Sequence, residues 1–232
     1  ASHPAAAPRL VMTNTPLDSG PRATHKAVMT PAAAPISLAP ARAAIRSHVH
    51  NPVGQLDDIE IVEVDSPELV AGQIRVAVLA SGLNYVDSLM IEGKYQIKPP
   101  VPYRPGSEIV GRVIEVASDV TNLKIGDRVF SPSGGFADEA VLSASRVIPI
   151  PEQLSDGQGA TFMQSYLTAW FAFHKRAQVR EGATMLVLGA GGGVGLAAVD
   201  LGVAMGMRVI AAASSAEKRQ LALDRGAFAA ID

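Results

Sequence analysis

The sequence is 232 residues long, 48% hydrophobic and 18% charged, with a formal net charge of −2. That is material for two compact units, or one with tails, and it argues against nucleic-acid and anionic-membrane partners, which usually need a basic surface. The absence of cysteine excludes disulfides, thiolate-bound zinc and a thiol nucleophile, and is consistent with the cytoplasmic setting expected for the chain.

Residues 1–40 carry seven prolines and ten alanines, with Asp18 the only acid against Arg9, Arg22 and Lys26. The prolines break every apolar run below signal-peptide length, and the segment has too little apolar surface to offset its ordering entropy. It is expected to be a disordered extension, although its low acid content also fits a transit peptide. From residue 41 the texture changes to short β-branched runs. "ARAAIRSHV", "IEIVEV", "QIRVAVLASG", "EIVGRVIEVA", "DRVFS", "FADEAVLS" and "RVIPIP" read as strands. Asn51-Pro52, Ser66-Pro67, Pro99-Pro100, Gly126-Asp127 and Gly134-Gly135 supply turns between them. This spacing predicts a barrel-like β domain over 41–160. From Asp156 the pattern becomes helical, with Phe162, Tyr166, Ala169 and Phe173 at helical spacing, until Gly182 resets the chain.

Residues 161–232 are expected to form a second domain, led by that helix. "TMLVLG" reads as a buried strand, "GLAAVDLGVAMG" as a helix, "RVIAAA" as a strand, "SAEKRQLALDRG" as a helix and "AFAAID" as a third strand. Such alternation predicts a doubly wound parallel sheet, so the fold class is α/β plus β. Residues 185–207 are long enough to span a bilayer, but Asp200 and seven glycines argue against a membrane helix.

The loop between the first strand and its helix holds Gly189, Ala190, Gly191, Gly192, Gly193, Val194 and Gly195. The spacing G-x-G-x-x-G fails here, whereas G-x-x-G-x-x-G fits at Gly189, Gly192 and Gly195. At a strand-to-helix turn, unpaired N–H groups and the helix dipole make an anion site suited to a pyrophosphate. Gly189 would allow the tight turn, Gly192 close backbone approach and Gly195 close helix-to-strand packing. The second strand ends in Ala213, Ser214 and Ser215, with no acid to accept a ribose 2′-hydroxyl. Ser214 and Glu217 read as a capping box, and Lys218 and Arg219 follow. Small hydroxyls beside a cation favour a 2′-phosphate, so the expected cofactor is NADPH.

In order and spacing, "SGLNYVDSLMIEGKYQIKPPVPYRPGSEIVGRVIEV" (81–116), "GDRVF" (126–130), "GGFADEAVL" (134–142), "YLTAW" (166–170) and "GAGGGVG" resemble the medium-chain dehydrogenase/reductase superfamily. Within it the chain is similar to the zinc-free quinone oxidoreductase branch, over residues 42–232. The resemblance implies a GroES-like catalytic domain followed by a Rossmann domain, with NADPH in the cleft and a quinone or enone as the small-molecule substrate. Where zinc-dependent alcohol dehydrogenases of the superfamily place a ligand cysteine, this chain has Asn84; where they have Gly-His-Glu, it has Gly106-Ser107-Glu108. Their structural zinc lobe is missing, and His48 and His50 have no obvious third ligand, so no metal is expected. A conjugated acceptor can be reduced without a Lewis acid when hydrogen-bond donors stabilise the developing oxyanion.

By the same resemblance Asn84, Tyr85, Val86, Asp87 and Ser88 border the nicotinamide end and Thr168 packs nearby. Tyr95 faces the substrate as a donor. The plainer alternatives are a turn cap for Asn84, helix filling for Thr168 and loop packing for Tyr95. Relatives often carry a second active-site tyrosine where this chain has Leu89; Tyr85 is the candidate to stand in for it. Rival readings are an enone or enoyl-thioester reductase of the same fold, a non-catalytic NADPH-binding relative and a nonfunctional truncated product. The sequence ends at the third strand, so the expectation is an incomplete, C-terminally truncated Rossmann domain. It would be a fragment of a longer chain, or a truncated product of low stability with its first strand at a sheet edge. A homodimer is implied for the full-length relatives.

Overall fold

A computed structural model describes residues 59–232, Leu56, and the backbone of two earlier strands, Val28–Met29 and Ala41–Arg46. The expectations for the rest of residues 1–40, and for His48 and His50, lie outside the described residues. The described residues divide into two compact units, one reaching Thr161 and the other running from Phe162 to Asp232.

The first unit is built on an antiparallel sheet of six strands in the order β1-β4-β5-β6-β8, with β7 also on β4. These strands are β1 (Val28–Met29), β4 (Gln73–Gly82), β5 (Glu108–Val116), β6 (Arg128–Ser131), β7 (Glu139–Ser143) and β8 (Ile148–Pro149). A separate antiparallel pair joins β2 (Ala41–Arg46) to β3 (Ile59–Val64). Strand β4 is central because its second edge is shared: residues 73–77 pair with β7, and Ser81 and Gly82 pair with β1. Ile74, Val76, Ile109, Val113 and Val129 are each no more than 1% exposed and form the core. Burying such a side chain stabilises by about 1.5–3 kcal/mol. Arg75 breaks the apolar pattern of β4, yet it is buried with its guanidinium donating to Glu115 at 2.7 Å and to the Pro67 carbonyl at 2.9 Å.

The second unit holds a parallel sheet in the order β11-β10-β9. Its strands are β9 (Thr184–Leu188), β10 (Arg208–Ala212) and β11 (Ala229–Ile231). Ile210 lies between Leu186 and Ala229 in register. Helix α4 (Gly193–Ala204) follows β9, and α5 (Ala216–Asp224) follows β10. Val187, Val199, Val209 and Ala211 meet Ala169 and Phe173 in one core. Among the described residues β9 is an edge of this sheet, with Leu186 54% and Leu188 75% exposed. The barrel-like β domain and the Rossmann-type sheet foreseen from the pattern are both present. No helix among the described residues is long and apolar enough to cross a membrane.

Two departures from the expected elements matter. The helical pattern from Asp156 is not continuous: α2 (Asp156–Gly159) is a single turn, and a run at 163–177 follows, made of the π-helices Met163–Leu167 and Ala172–Ala177 around α3 (Thr168–Phe171). The break comes where Gly157 and Gly159 weaken the helix and Gly159 packs flush on Ile150, Val110 and Phe130. The second departure is α1 (Tyr85–Ile91), a helix not expected from the sequence pattern, which opens at Asn84.

Candidate functional site

The glycine loop leaves β9 at Leu188 and enters α4 at Gly193. Gly189 turns the chain at φ +63° with open space around it, so conformation rather than crowding calls for glycine there. Ala190 is fully buried, and its N–H donates to the Ala212 carbonyl at 3.0 Å, tying the loop to the end of β10. Gly192 is the N-cap of α4, and its carbonyl accepts the Leu196 N–H at 2.8 Å. Gly192 brings no side chain to cap this helix, and the N–H groups of Gly193, Val194 and Gly195 have no partner within it. A Cβ on Gly192 would meet, beyond its chain neighbours and among the described residues, only the Gly189 carbonyl, at 3.4 Å. Gly195 is crowded instead: a Cβ there would run into the Gly189 carbonyl and lie 2.8 Å from the Ala190 Cα.

The capping box expected for Ser214 and Glu217 does not form. The N-cap of α5 is Ser215, one residue later, in extended conformation, and its hydroxyl accepts the Lys218 N–H at 3.3 Å. The shift follows from the strand end: Ala213 stays buried and its carbonyl accepts the Arg219 guanidinium at 2.7 Å, so the chain is released for capping only after Ser214. Ser214 is left exposed and Glu217 stands in the first turn, where a carboxylate suits the helix dipole.

In the first unit, Asn84 caps α1 and joins a buried polar cluster. Its backbone N–H donates to Asp87 Oδ2 at 2.7 Å, and its side-chain amide donates to Glu108 at 2.9 Å and Ser107 at 3.2 Å. Asp87 and Glu108 are no more than 1% exposed. Burial raises the Asp87 carboxyl above the usual carboxylate range; the Asn84 N–H and the Ser107 hydroxyl pull it back, and the charge of Glu108 adds to the rise. One Asp87 oxygen, Oδ1, has no hydrogen-bond partner among the described residues. Burial and the Asp87 charge together push the Tyr103 hydroxyl up to about 12. The sequence singles out Asn84 and Asp87 and sets Ser107 and Glu108 against zinc ligands, but it does not join the four, and it holds no local signal that points to Tyr103.

The remaining site candidates are placed as follows. Tyr85 opens α1 and is 80% exposed, and Ser88 donates to the Tyr85 carbonyl at 2.8 Å. Val86 is half-buried on the same helix. Tyr95 is half-buried beyond α1, and its hydroxyl accepts from Gln96 at 3.5 Å. Thr168, in the second unit, is exposed, and its hydroxyl donates back to the Gln164 carbonyl at 2.5 Å. Among the described residues no group of three or more His, Asp or Glu side chains is placed to hold a metal ion.

Residues 70–152, the heart of the first unit, match the alcohol dehydrogenase GroES-like domain. Quinone oxidoreductase-like protein 2 homolog of Nematostella vectensis is 44% identical over 168 residues, covering 71% of this chain and 46% of that protein. Quinone oxidoreductase of Mus musculus is 38% identical over 175 residues, covering 72% and 53%. The crystal structures of the quinone oxidoreductase from Thermus thermophilus and its complex with NADPH match at a TM-score of 0.70 and 38% identity, covering 82% of this chain and 59% of that one. The chain belongs to the medium-chain dehydrogenase/reductase superfamily, among its quinone oxidoreductase-like members. Within that superfamily the first unit is the GroES-like domain and the second carries the Rossmann-type sheet. The chain spans about half the length of the curated relatives it matches.

Proposed function

We propose that the chain belongs to an NADPH-dependent oxidoreductase that reduces quinones or related conjugated carbonyls by hydride transfer without a metal. The observation that carries this reading is the start of α4, where the cap residue is a glycine and the N–H groups of Gly193, Val194 and Gly195 have no partner within the helix. A pyrophosphate fits that cradle. The Thermus thermophilus relative solved with NADPH supports the choice of dinucleotide. Ser214 is exposed beside the cap, and the Ser215 hydroxyl, while accepting the Lys218 N–H, still has a proton to donate. With Lys218 they form the group we assign to the 2′-phosphate.

Bound NADPH supplies the hydride, and the protein orients and stabilises. As the family resemblance implies, we assign Asn84, Tyr85, Val86, Asp87, Ser88 and Thr168 to binding the nicotinamide cofactor. Hydride addition to a conjugated acceptor leaves an oxyanion, which hydrogen-bond donors stabilise until a proton reaches it. Tyr95 is assigned as that donor, with Tyr85 the alternative. Asn84 and Ser107 stand where zinc-dependent relatives carry cysteine and histidine, and an amide and a hydroxyl make a poor zinc shell. That donor set supports a metal-free route. We further assign a homodimer to the full-length protein, as the family resemblance implies, and a cytoplasmic setting.

The test is NADPH oxidation by the full chain with a naphthoquinone, an enone and an enoyl thioester in turn. Turnover of the quinone or the enone supports the proposal. Turnover of the thioester alone moves the function to an enoyl-thioester reductase, and tight NADPH binding without turnover of any acceptor makes this a binding protein.

A further inference from the structure

Lys218 lies across the glycine loop, and Gly191 is what makes room for it. The Cβ, Cγ and Cδ of Lys218 sit 2.6, 2.6 and 2.7 Å from where a Cβ on residue 191 would stand. These are the atoms nearest the helix backbone, not the free end of a flexible chain. An added methyl therefore cannot be accommodated by swinging the ammonium aside; the loop or the first turn of α5 has to move. The first turn is itself held, because the Lys218 N–H donates to the capping hydroxyl of Ser215 at 3.3 Å.

The two cations that follow β10 are not equivalent. The guanidinium of Arg219 is committed, donating to the Ala213 carbonyl at 2.7 Å and to Asp232 at 3.0 Å. Lys218 makes no ion pair among the described residues. We propose that Gly191 is a specificity-determining residue: by seating the Lys218 stem it fixes the ammonium where the 2′-phosphate of NADPH is distinguished from the 2′-hydroxyl of NADH. The inference rests on the reading of this loop as a dinucleotide site. A side chain at residue 191 would displace the charge without deleting it, and a lysine held in place discriminates better than one free to roam, since less entropy is lost on contact.

The experiment measures dissociation constants for NADPH and NADH, by nucleotide fluorescence, for the wild-type full chain, Gly191→Ala, Lys218→Ala and the double variant. The readout is the ratio of the two affinities, which cancels any general loosening of the loop. In Lys218→Ala the preference for NADPH is expected to fall about tenfold, the worth of one charge-assisted hydrogen bond. Gly191→Ala is expected to lose at least about a third of that effect on a logarithmic scale, and the double variant to lose no more than Lys218→Ala alone. An unchanged ratio in Gly191→Ala, or a double variant in which the two losses add, overturns the inference while dinucleotide binding stands. A wild type that prefers neither nucleotide overturns it too, and a wild type that binds neither removes the dinucleotide reading together with it.

Discussion

The side-chain amide of Asn84 donates to Glu108 Oε1 at 2.9 Å across 24 residues of sequence, inside the first unit, where Glu108 is only 1% exposed. The carboxylate and the amide restrain each other, and Asp87 holds the backbone of the same asparagine. Asn84→Ala removes a donor from a buried carboxylate and is expected to cost about 1–3 kcal/mol, read as a lower urea midpoint. Asn84→Asp sets a further carboxylate against Glu108. Its loss at neutral pH is expected to exceed that of the alanine variant and to shrink as the solution is acidified, which urea unfolding at two pH values checks.

Ser215, not Ser214, caps α5. Ser215→Ala is therefore expected to destabilise by about 1 kcal/mol, while Ser214→Ala, at an exposed position with no capping bond, stays within about 0.5 kcal/mol of wild type. Chemical denaturation of the two variants side by side decides it.

These two cases show what the sequence carries and what it leaves out. The order of β9, α4, β10, α5 and β11 was legible because each element has a local signature: an apolar run, a helical period, a glycine stop. The glycine loop was legible because it sits between two such signatures. Cap register is not a local property of Ser214 and Ser215; it depends on where Ala213 is pinned by the sheet and by Arg219. The cluster of Asn84, Asp87, Ser107 and Glu108 is invisible for a similar reason, since it joins the start of α1 to the start of β5. The helix break after α2 reflects packing of a bare Gly159 against the sheet, which no helical period records.

Gly189 and Gly195 are both required, for different reasons. Gly189→Ala forces a side chain into the left-handed region, at a cost of about 1–2 kcal/mol. Gly195→Ala drives a Cβ into the Gly189 carbonyl, and its cost is expected to be the larger because backbone on both sides must move. Thermal unfolding should rank wild type above Gly189→Ala and Gly189→Ala above Gly195→Ala.

The Tyr166 hydroxyl donates to Asp200 at 2.5 Å, and Arg225 donates to the same carboxylate oxygen at 3.1 Å. Burial first, then the hydrogen bond and charge of Asp200, push the hydroxyl up to about 12, with Arg225 opposing. An unfolded tyrosine ionises near about pH 10, so above that value the folded state binds more protons and stability falls as pH rises. The contribution is whole below about pH 10 and is lost as pH approaches about 12. Tyr166→Phe is expected to flatten the alkaline limb of unfolding free energy against pH. Tyr103→Phe should flatten it as well, since burial and Asp87 push that hydroxyl up to about 12.

Gly192 is where dinucleotide binding and folding separate most cleanly. A Cβ there meets nothing closer than the Gly189 carbonyl at 3.4 Å, so Gly192→Ala should fold, at the modest cost of exchanging a glycine N-cap for alanine. The same methyl would stand at the N-cap, beside the N–H groups of α4 to which the pyrophosphate is assigned. Titration of NADPH into the wild-type full chain and Gly192→Ala, beside their thermal melts, is the decisive measurement. Saturable binding by the wild type, weakened at least about tenfold in a variant that still unfolds cooperatively and is fully folded at the temperature of the titration, is the predicted result. Equal NADPH affinity in the two proteins would contradict the assignment of the loop.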